Sequence, residues 1–446
     1  MSRRWTALVV YDLLLWLAGL LLLPVALWHW CRSRDFRRRL PMRLGFGPKL
    51  APHPRRVLLH GVSVGEVKAL KPLLHELSRR DPGLELVVSS STPTGLAFAE
   101  RLYPDHRVVA YPLDLPDACA RFLKRMDPAL VILAELEIWP NFLRQCARRG
   151  VEVAIVNGRI TDRSISGYQR VQRWLPQFDR IALYGVQNPR YADRFRSLDV
   201  PGDRVVVTGN LKYDDLPQPA DEAAYRAGPW SAWAGIAPVV VFASTHEPEE
   251  VDLAVAWSGR AAQRDSLGVI VPRHPKRAEA ILAALEGRVE GTVHRFSLLD
   301  RDARPAPGDW ILVDAFGELG QVYRAARAAF VGGSLIPHGG QNMLEPAAAG
   351  CPVVVGPHCE NFLEEVERLC EAGGLMQTEE LAQVLEWLET WTQDPEGART
   401  IGEAGRLALE SGRGAAQSTV VALQERGLLP SSRGAGPAPP TAPRPS

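Results

Sequence analysis

The chain has 446 residues, a length that is typical of two or three domains. Of these residues 46% are hydrophobic and 23% are charged, as in an average globular protein. This composition excludes a wholly disordered chain, a fibre and a polytopic membrane protein. The 52 Lys and Arg residues nearly balance the 51 Asp and Glu residues, so the net charge of +1 predicts no nucleic-acid partner. The six cysteines show no CxxC or zinc spacing and are too few for a disulfide framework, which indicates reduced, mostly buried thiols.

Residues 1–31 predict a membrane anchor. Between Trp5 and Trp30 the only charged residue is Asp12, and a spanning helix needs about 20 apolar residues. Arginines precede the run at positions 3 and 4 and follow it at positions 32, 34, 37, 38, 39 and 43. The positive-inside rule then places the large C-terminal part in the cytoplasm, and the same arginines would bind anionic lipid.

Three other interpretations of this segment stay open. A cleaved signal peptide is disfavoured because Trp and Arg residues, rather than small residues, follow the apolar run. A buried core helix is a second possibility. A helix that lies in the membrane interface is a third, because Asp12 would be costly in the middle of a bilayer.

Short apolar runs alternate with amphipathic runs between residues 55 and 429, which predicts parallel sheets covered by helices. In the first half we predict strands at 56–60, 84–89, 108–111, 130–134, 151–156, 181–186 and 205–208. The predicted helices there are 65–80, 93–102, 117–126 and 139–149. After a Pro- and Gly-rich stretch at 214–235, strands resume at 239–243, 269–271, 311–313, 329–331 and 353–355.

The predicted fold class is therefore α/β, with two Rossmann-like, doubly wound domains that face each other across a cleft. We place the first domain at residues 32–215 and the second at 216–429. Residues 430–446 contain only Pro, Ala, Ser, Gly, Thr and Arg, and we predict a disordered tail.

Polar segments follow several of the predicted strands, where ligands of such sheets bind. Glu66, at a helix start, could take a proton from a hydroxyl. Arg273 offers a planar fork for a phosphate, and Glu345 could accept from ribose hydroxyls. Gly65 and Gly339-Gly340 precede helices and would let backbone N–H groups approach an anion. Each of these could also be an ordinary turn or a first-turn helix charge.

The sequence predicts no metal site. The only Asp-x-Asp pair, Asp300-Arg301-Asp302, lies in a Pro-rich loop away from any strand end, and there is no HExxH motif or Walker loop. We expect arginine, Lys212 and helix dipoles to bind the leaving phosphate instead. Lys212 is one of only six lysines in a chain with 46 arginines, so a lysine at this strand end could be needed for its compact ammonium group. Its presence could equally be chance.

Taken together, these segments closely resemble the Kdo transferases, the 3-deoxy-D-manno-octulosonic acid transferases of lipopolysaccharide assembly. The resemblance runs from about residue 60 to 363. It is carried by HGVSVGEV, SSSTPTG, PLDLPDA, AELEIWPN, TGNLKYD, STHEPEE, VPRHPKR, FGELGQVY, FVGGSLIPHGGQNMLEPAAAG and GPHCENF. It implies a GT-B fold, the donor CMP-Kdo, a lipid A precursor (lipid IVA) as acceptor, no cofactor, and an anchored enzyme at the cytoplasmic face of the inner membrane of a Gram-negative cell.

The resemblance also implies roles for particular residues. The general base falls on Glu66, and the residues that stabilise the transition state fall on Glu135 and Lys212, with Glu137 in the same motif. The groups that bind the CMP donor fall on Pro272, Arg273, Phe316, Gly317, Glu318, Asn342, Met343, Leu344 and Glu345. Leu136 stands where the family often has Thr, which could alter how Glu135 is held. Met343 and Phe316 also depart from the family pattern and should contribute only backbone and shape.

Two other functions remain as alternatives. A sugar-nucleotide 2-epimerase on the same scaffold would need no anchor. A membrane-anchored binding module that has lost catalysis would not need its complete set of charged site residues, which here are Glu66, Glu135, Lys212, Arg273 and Glu345. The sequence does not determine how many Kdo residues are transferred, which acyl chains the acceptor carries, whether the anchor spans the bilayer or lies flat, or the oligomeric state.

Overall fold

The computed structural model of the protein describes residues 2–216, 225–300 and 302–430. The described residues form two compact units, one within 2–215 together with 413–430, and the other within 216–412. The predicted tail after Pro430 and most of the predicted linker after Leu216 lie outside the described residues.

The first unit is built on a parallel seven-stranded sheet with the strand order β3-β2-β1-β4-β5-β6-β7. Its central strands are buried on both faces, which explains their continuous apolar sequences. The strands are β1 (Arg56–His60), β2 (Glu85–Ser90), β3 (Arg107–Ala110), β4 (Leu130–Ala134), β5 (Glu152–Gly158), β6 (Leu183–Val186) and β7 (Val205–Val207).

Helices cover both faces of this sheet. The helices of this part of the chain are α1 (Ser2–Arg32), α2 (Arg34–Pro41), α3 (Val64–Ala69), α4 (Lys71–Arg80), α5 (Pro93–Leu102), α6 (Pro116–Met126), α7 (Pro140–Arg149), α8 (Asp162–Trp174) and α9 (Pro189–Arg196), of which α1 and α2 do not pack on the sheet. A π-helical turn spans Met42–Phe46, and 3₁₀ turns span Phe178–Arg180, Gly202–Arg204 and Leu211–Tyr213.

The second unit has its own parallel seven-stranded sheet, with the order β10-β11-β9-β8-β12-β13-β14. The strands are β8 (Val239–Thr245), β9 (Leu267–Pro272), β10 (Val293–Arg295), β11 (Trp310–Leu312), β12 (Ala326–Val331), β13 (Val353–Val355) and β14 (Leu375–Gln377). The helices are α10 (Pro229–Ala234), α11 (Glu249–Ser258), α12 (Ala278–Leu285), α13 (Leu319–Ala325), α14 (Leu344–Ala348), α15 (Leu363–Glu371), α16 (Leu381–Gln393) and α17 (Pro395–Glu410), with 3₁₀ turns at Ala261–Asp265, Pro275–Arg277 and Phe296–Leu298.

The structure differs from the sequence prediction in two local respects. The predicted helix 65–80 is two helices, α3 and α4, because Pro72 has no N–H to continue the α-helical ladder and instead begins the second helix. The prediction missed β10 and β14, the two edge strands of the second sheet. Both have only three residues and β10 is half-buried, so neither has a long apolar run.

The last helix, α18 (Ala415–Glu425), packs on the first unit rather than on the second, to which the sequence boundary of 216–429 assigned it. Its apolar face, including Val420 and Leu423, joins the core beneath α4. The Asp214 carboxylate accepts hydrogen bonds from Gly414 N and Ala416 N, both at 2.6 Å, and thereby caps the helix.

The apolar helix α1 is docked on the first unit through its N-terminal half. Ala7 and Leu8 pack against Leu175. The Asp12 carboxylate accepts hydrogen bonds from Asn141 Nδ2 at 2.8 Å and Arg144 Nη2 at 3.0 Å. The charge that the sequence analysis considered costly in a membrane is therefore paired with α7.

Candidate functional site

Glu66 lies in the first turn of α3, directly after β1. Ser63 caps the helix by accepting from Glu66 N at 3.2 Å, and its hydroxyl donates to Glu66 Oε1 at 2.8 Å. Val62 N donates to Glu66 Oε2 at 2.9 Å. This capping box fixes the carboxylate at the carboxyl edge of the sheet and leaves each oxygen able to accept a further hydrogen bond.

Glu135 follows β4, the neighbour of β1 in the sheet. Its φ of +57° places a residue with a side chain in the left-handed region, a conformation that costs energy and is enriched at functional sites. Its Oε2 accepts from Arg159 Nε at 3.0 Å. Burial raises the pKa of Glu135, and the Glu66 charge raises it further, whereas Arg159 and Lys212 oppose the rise.

Lys212 reaches this group although β7 lies at the far edge of the sheet. The chain leaving β7 crosses the ends of β6 and β5: Thr208 N donates to Val186 O at 2.9 Å, and Leu211 N donates to Asn157 Oδ1 at 3.0 Å. This crossing brings the Lys212 ammonium close enough to lower the pKa of Glu135. The structure thus places the three predicted catalytic residues at one edge of the first unit.

Glu137 is a third carboxylate of the same group. Burial raises its pKa to about 7, with a further contribution from the Glu66 charge, while the hydrogen bond from Trp139 Nε1 at 2.9 Å opposes the rise. A carboxyl group with a pKa near 7 exchanges protons readily at neutral pH.

The raised pKa predicts a pH-dependent stability effect of Glu137→Gln. Between the ordinary value of 4.5 and the folded value of about 7, the native state keeps a proton that the unfolded state releases, so ionisation destabilises the wild type as pH rises through this window. We therefore expect the melting temperature of the variant, relative to wild type, to increase between about pH 5 and pH 8. Calorimetry of both proteins at pH 5 and at pH 8 measures this difference in melting temperature. A difference that is the same at the two pH values would contradict the prediction.

Two residues in this region acquire roles that the sequence analysis did not assign. Arg159 follows β5 and pairs with Glu135, and its place just after a buried strand is the signal that could have found it. His60, inside the HGVSVGEV segment, is buried and stacks on Tyr111 at a ring distance of 3.7 Å. Burial lowers the pKa of His60 to about 3, so it is a neutral structural residue.

A pocket of about 420 Å³ lies in the first unit beside the ends of β2 and β3. Its lining includes Ser90, Ser91 and Thr92, and Arg39 and Arg43 from the segment after α1, together with apolar side chains. Asp35 also lines the pocket, and its carboxylate accepts from Arg39 Nε at 3.0 Å. Arg39 Nη1 and Arg43 Nε are buried without a hydrogen-bond partner in the described part of the chain. Burial lowers the pKa of Arg43, because it disfavours the charged form of the side chain.

The predicted donor residues all lie at the carboxyl edge of the second sheet. Pro272 ends β9 and Arg273 follows it, Phe316 to Glu318 follow β11, and Asn342 to Glu345 follow β12. Arg273 is exposed, and Phe316 is 81% exposed. Asn342 Nδ2 donates to Glu345 Oε1 at 2.9 Å, so these two side chains form one unit at the start of α14.

Some of these residues offer only main-chain atoms or are already engaged. The side chains of Met343 and Leu344 are 0% and 3% exposed, so only their backbone can face a ligand. Glu318 Oε2 accepts from Trp230 Nε1 at 3.1 Å. Gly317 has a φ of +93°, which explains glycine at that turn.

A histidine cluster that the sequence analysis missed stands beside Arg273. The rings of His246 and His338 are 4.3 Å apart, and those of His246 and His274 are 5.8 Å apart. Burial and the neighbouring positive charges lower the pKa of His246 to about 4. A positive potential at the ends of β8 and β9 favours an anionic ligand.

Glu249 organises the glycine-rich loop after β12. Its carboxylate is buried and accepts four backbone hydrogen bonds: from His246 N at 3.0 Å, Gly333 N at 2.7 Å, Ser334 N at 3.2 Å and Leu335 N at 3.1 Å. A Cβ on Gly332 would lie 2.5 Å from Thr245 Cα, so the loop passes β8 at a distance that only glycine allows.

Within the described residues, no group of three or more His, Cys, Asp and Glu side chains is arranged to hold a metal ion. Asp300 and Asp302 belong to a loop whose middle residue, Arg301, lies outside the described residues. The six cysteines are free, and four of them are buried, as predicted.

Two Rossmann-like units with polar residues at their carboxyl edges define the GT-B class, so the predicted fold is confirmed. UDP-GlcNAc 2-epimerase from Neisseria meningitidis, solved with UDP-GlcNAc bound, shares this fold with a TM-score of 0.56. The match covers 83% of this chain and all of that one at 13% identity, which shows a likeness of fold alone.

Sequence relatives define the family. Residues 38–215 match the family model of 3-deoxy-D-manno-octulosonic-acid transferase (kdotransferase). The chain is 33% identical to the 3-deoxy-D-manno-octulosonic acid transferase of Haemophilus influenzae, over 86% of this chain and 91% of that protein. It is 34% identical to the Bordetella pertussis enzyme of the same name, over 90% and 95%. The chain therefore belongs to the Kdo transferase family of glycosyltransferases.

Proposed function

We propose that the protein transfers Kdo from CMP-Kdo to a lipid A precursor, lipid IVA, with inversion at the anomeric carbon and without a metal ion. The observation that carries this proposal is the group of Glu66, Glu135 and Lys212 at one sheet edge of a Kdo transferase. An acceptor hydroxyl loses its proton to Glu66 and forms a bond to the anomeric carbon. The bond from that carbon to the phosphate oxygen breaks, and CMP leaves with the electron pair.

The surrounding charges suit this reaction. The Lys212 ammonium can offset negative charge on the leaving phosphate, a contribution that needs no cation. Arg159 and Lys212 keep Glu135 from becoming an isolated buried charge. Because the donor sugar is already activated, the protein mainly has to position and deprotonate the hydroxyl.

For the donor, we propose binding to the edge of the second sheet, with Arg273 on the CMP phosphate and the Asn342–Glu345 pair on the ribose. The Arg273 guanidinium beside the histidine cluster, one of the positive charges that lower the pKa of His246, supports an anion there.

Arg273→Ala tests the donor site. A lost charge-assisted hydrogen bond costs about 1.5–3 kcal/mol, so CMP should bind about tenfold to a hundredfold more weakly. Titration calorimetry with CMP measures the change. Lys276→Ala, which replaces an exposed cation of the same turn, is the matched control and should change affinity little. Unchanged affinity in Arg273→Ala would remove this residue from the site.

For the acceptor, we propose the 420 Å³ pocket of the first unit as the site of its phosphorylated sugar. Arg39 Nη1 and Arg43 Nε supply unpaired donors for a phosphate, and the apolar wall suits the attached acyl chains.

Arg43→Gln should raise the KM for the acceptor about tenfold or more and leave CMP affinity unchanged, since it removes one charged donor. Steady-state kinetics with detergent-dispersed acceptor measure the change. Arg38→Gln is the control, because Arg38 is exposed and does not line the pocket. An equal increase in KM in both variants would indicate general charge attraction rather than a phosphate site.

We propose that α1 anchors the enzyme to anionic inner-membrane lipid with both units in the cytoplasm, and its exposed apolar surface supports an anchor.

Membership of the transferase family at 33–34% identity disfavours a 2-epimerase, whose sequence identity to this chain is 13%. Retention of the charged group around Glu66 disfavours a non-catalytic binding module.

One experiment tests the reaction itself. Purified protein is incubated with CMP-Kdo and a tetraacyl lipid A precursor, with and without a chelator. Mass spectrometry should show the acceptor mass increased by one or more Kdo units, and NMR should show an inverted anomeric configuration. If product forms only when the chelator is absent, the reaction needs a metal ion and the metal-free proposal is refuted. If this acceptor gives no product at all, the proposal that lipid IVA is the acceptor is refuted.

A further inference from the structure

We propose that α1 does not cross the membrane but lies at a shallow angle within one leaflet, held there because Asp12 docks on α7. This inference rests on the proposed membrane location of the enzyme and adds the topology of its anchor. A spanning helix must place its two ends on opposite sides of the hydrocarbon core, which is about 30 Å thick.

The N-terminal end of α1 is attached to the first unit. Tyr11 OH donates to Asp114 Oδ2 at 2.9 Å, and Asp12 is bonded to Asn141 and Arg144. Removing Asp12 from these partners would expose a charge to lipid, which is unfavourable. Residue 12 therefore lies on the same side of the membrane as the folded unit.

The segment that follows α1 returns to the same part of the first unit. Arg37 Nη1 donates to Trp30 O at 2.8 Å and Cys31 O at 3.1 Å, which fixes α2 against the end of α1. At the other end of α2, Leu113 N donates to Arg43 O at 2.7 Å, one residue from the Asp114 that binds Tyr11.

Helix geometry limits how far α1 can rise from the unit. At 1.5 Å per residue, α1 covers about 30 Å from Asp12 to Arg32, whereas the helical path from Arg32 back to Arg43 covers only about 16 Å. Asp12 and Arg43 are both attached to the same face of the first unit. The C-terminal end of α1 can therefore rise at most about 16 Å above that face, which corresponds to an angle of about 35° between the helix and the face. That depth is roughly one leaflet.

Lipid is the occupant that fits the exposed surface. Residues 20–23 are 65, 71, 60 and 49% exposed, and four consecutive helical positions face almost every direction, so this part of α1 lacks protein cover within the described chain. Arginines stand on both sides of the apolar run, at 3 and 4 and from 32 onward. Basic residues at both ends favour two cytoplasmic ends and an anionic leaflet.

Cysteine labelling tests the topology in cells. A Gly-Ser-Cys extension is placed ahead of Met1 in a Cys31→Ser, Cys370→Ser background, where the other cysteines are buried. A membrane-impermeant maleimide should label it in inverted membrane vesicles and not from the periplasm. The control retains exposed Cys370 without the extension and reports the cytoplasmic side. Labelling of the extension from the periplasm would overturn the proposal.

Asp12→Leu tests the role of the docking contact. This variant makes the helix uncharged from Trp5 to Trp30, so the released segment should span and the extension should become accessible from the periplasm. If it stays cytoplasmic, Asp12 is not what holds the helix and that part of the proposal fails. If a Leu21→Cys variant forms a disulfide-linked dimer in native membranes, a second copy of the chain covers the apolar surface of α1. This result would overturn the assignment of lipid to that surface. None of these readouts depends on Kdo transfer.

Discussion

Glu66→Gln is expected to reduce turnover by about 10²–10⁴, the usual contribution of a positioned general base. The amide can still accept from Val62 N and bond to Ser63 Oγ, so the capping box and the fold should survive. CMP affinity should be nearly unchanged, because the residues proposed to bind the donor belong to the second unit. Single-turnover kinetics with saturating CMP-Kdo and acceptor measure the loss, and titration with CMP checks the donor site.

Glu137→Gln is the matched variant for this experiment. Its pKa of about 7 would also suit a base, and it belongs to the same charged group. If Glu66→Gln retains activity within a few-fold of wild type while Glu137→Gln loses it, the base is Glu137. If Glu66→Gln loses CMP binding together with activity, Glu66 is a structural or donor-binding residue.

Glu249→Gln is expected to destabilise the second unit by about 3–5 kcal/mol. The carboxylate accepts four backbone N–H groups, and an amide would turn its NH₂ toward some of these donors. Each lost bond to a charged acceptor costs about 1.5–3 kcal/mol. For a unit of this size the melting temperature should fall by about 6–20 °C, at roughly 2–4 °C per kcal/mol.

The same substitution should weaken CMP binding, because the loosened loop leads directly into Asn342 and Glu345. Differential scanning calorimetry follows the transition of each unit, and titration is performed well below the lower transition. Glu247→Gln is the control, since Glu247 is 79% exposed and should shift the melting temperature by little. A Glu249→Gln protein as stable as wild type would show that water or backbone rearrangement satisfies the four donors.

Much of the fold follows from local sequence. Strands buried on both faces, such as LVILA at Leu130–Ala134, have no polar positions, and Gly and Pro residues mark where they end. The predicted positions of β1, β4 and β13 match the structure residue for residue. Short edge strands are harder to recognise, because β10 and β14 bury little surface and gain their structure from pairing with a neighbour.

The candidate site was predictable only in part. Parallel strands end at one edge, so residues placed just after strands, such as Glu66 and Arg273, were expected to lie there. The histidine cluster was not predicted, because His246 and His338 are 92 positions apart and meet only when β8 and β12 pair. Glu249 was equally hidden, since a glutamate at a helix start has no local sign that its carboxylate binds a distant loop.

By itself, the sequence determined the alternation of strands and helices, the family, and an apolar N-terminal segment, because these depend on residue type and spacing along the chain. Only the tertiary structure decided where α18 packs, how Lys212 comes close to Glu135, and which partners neutralise Asp12. Each of these depends on a contact between residues far apart in sequence. The free energy of such a contact comes from burial and hydrogen bonding in the folded state, which no local pattern records.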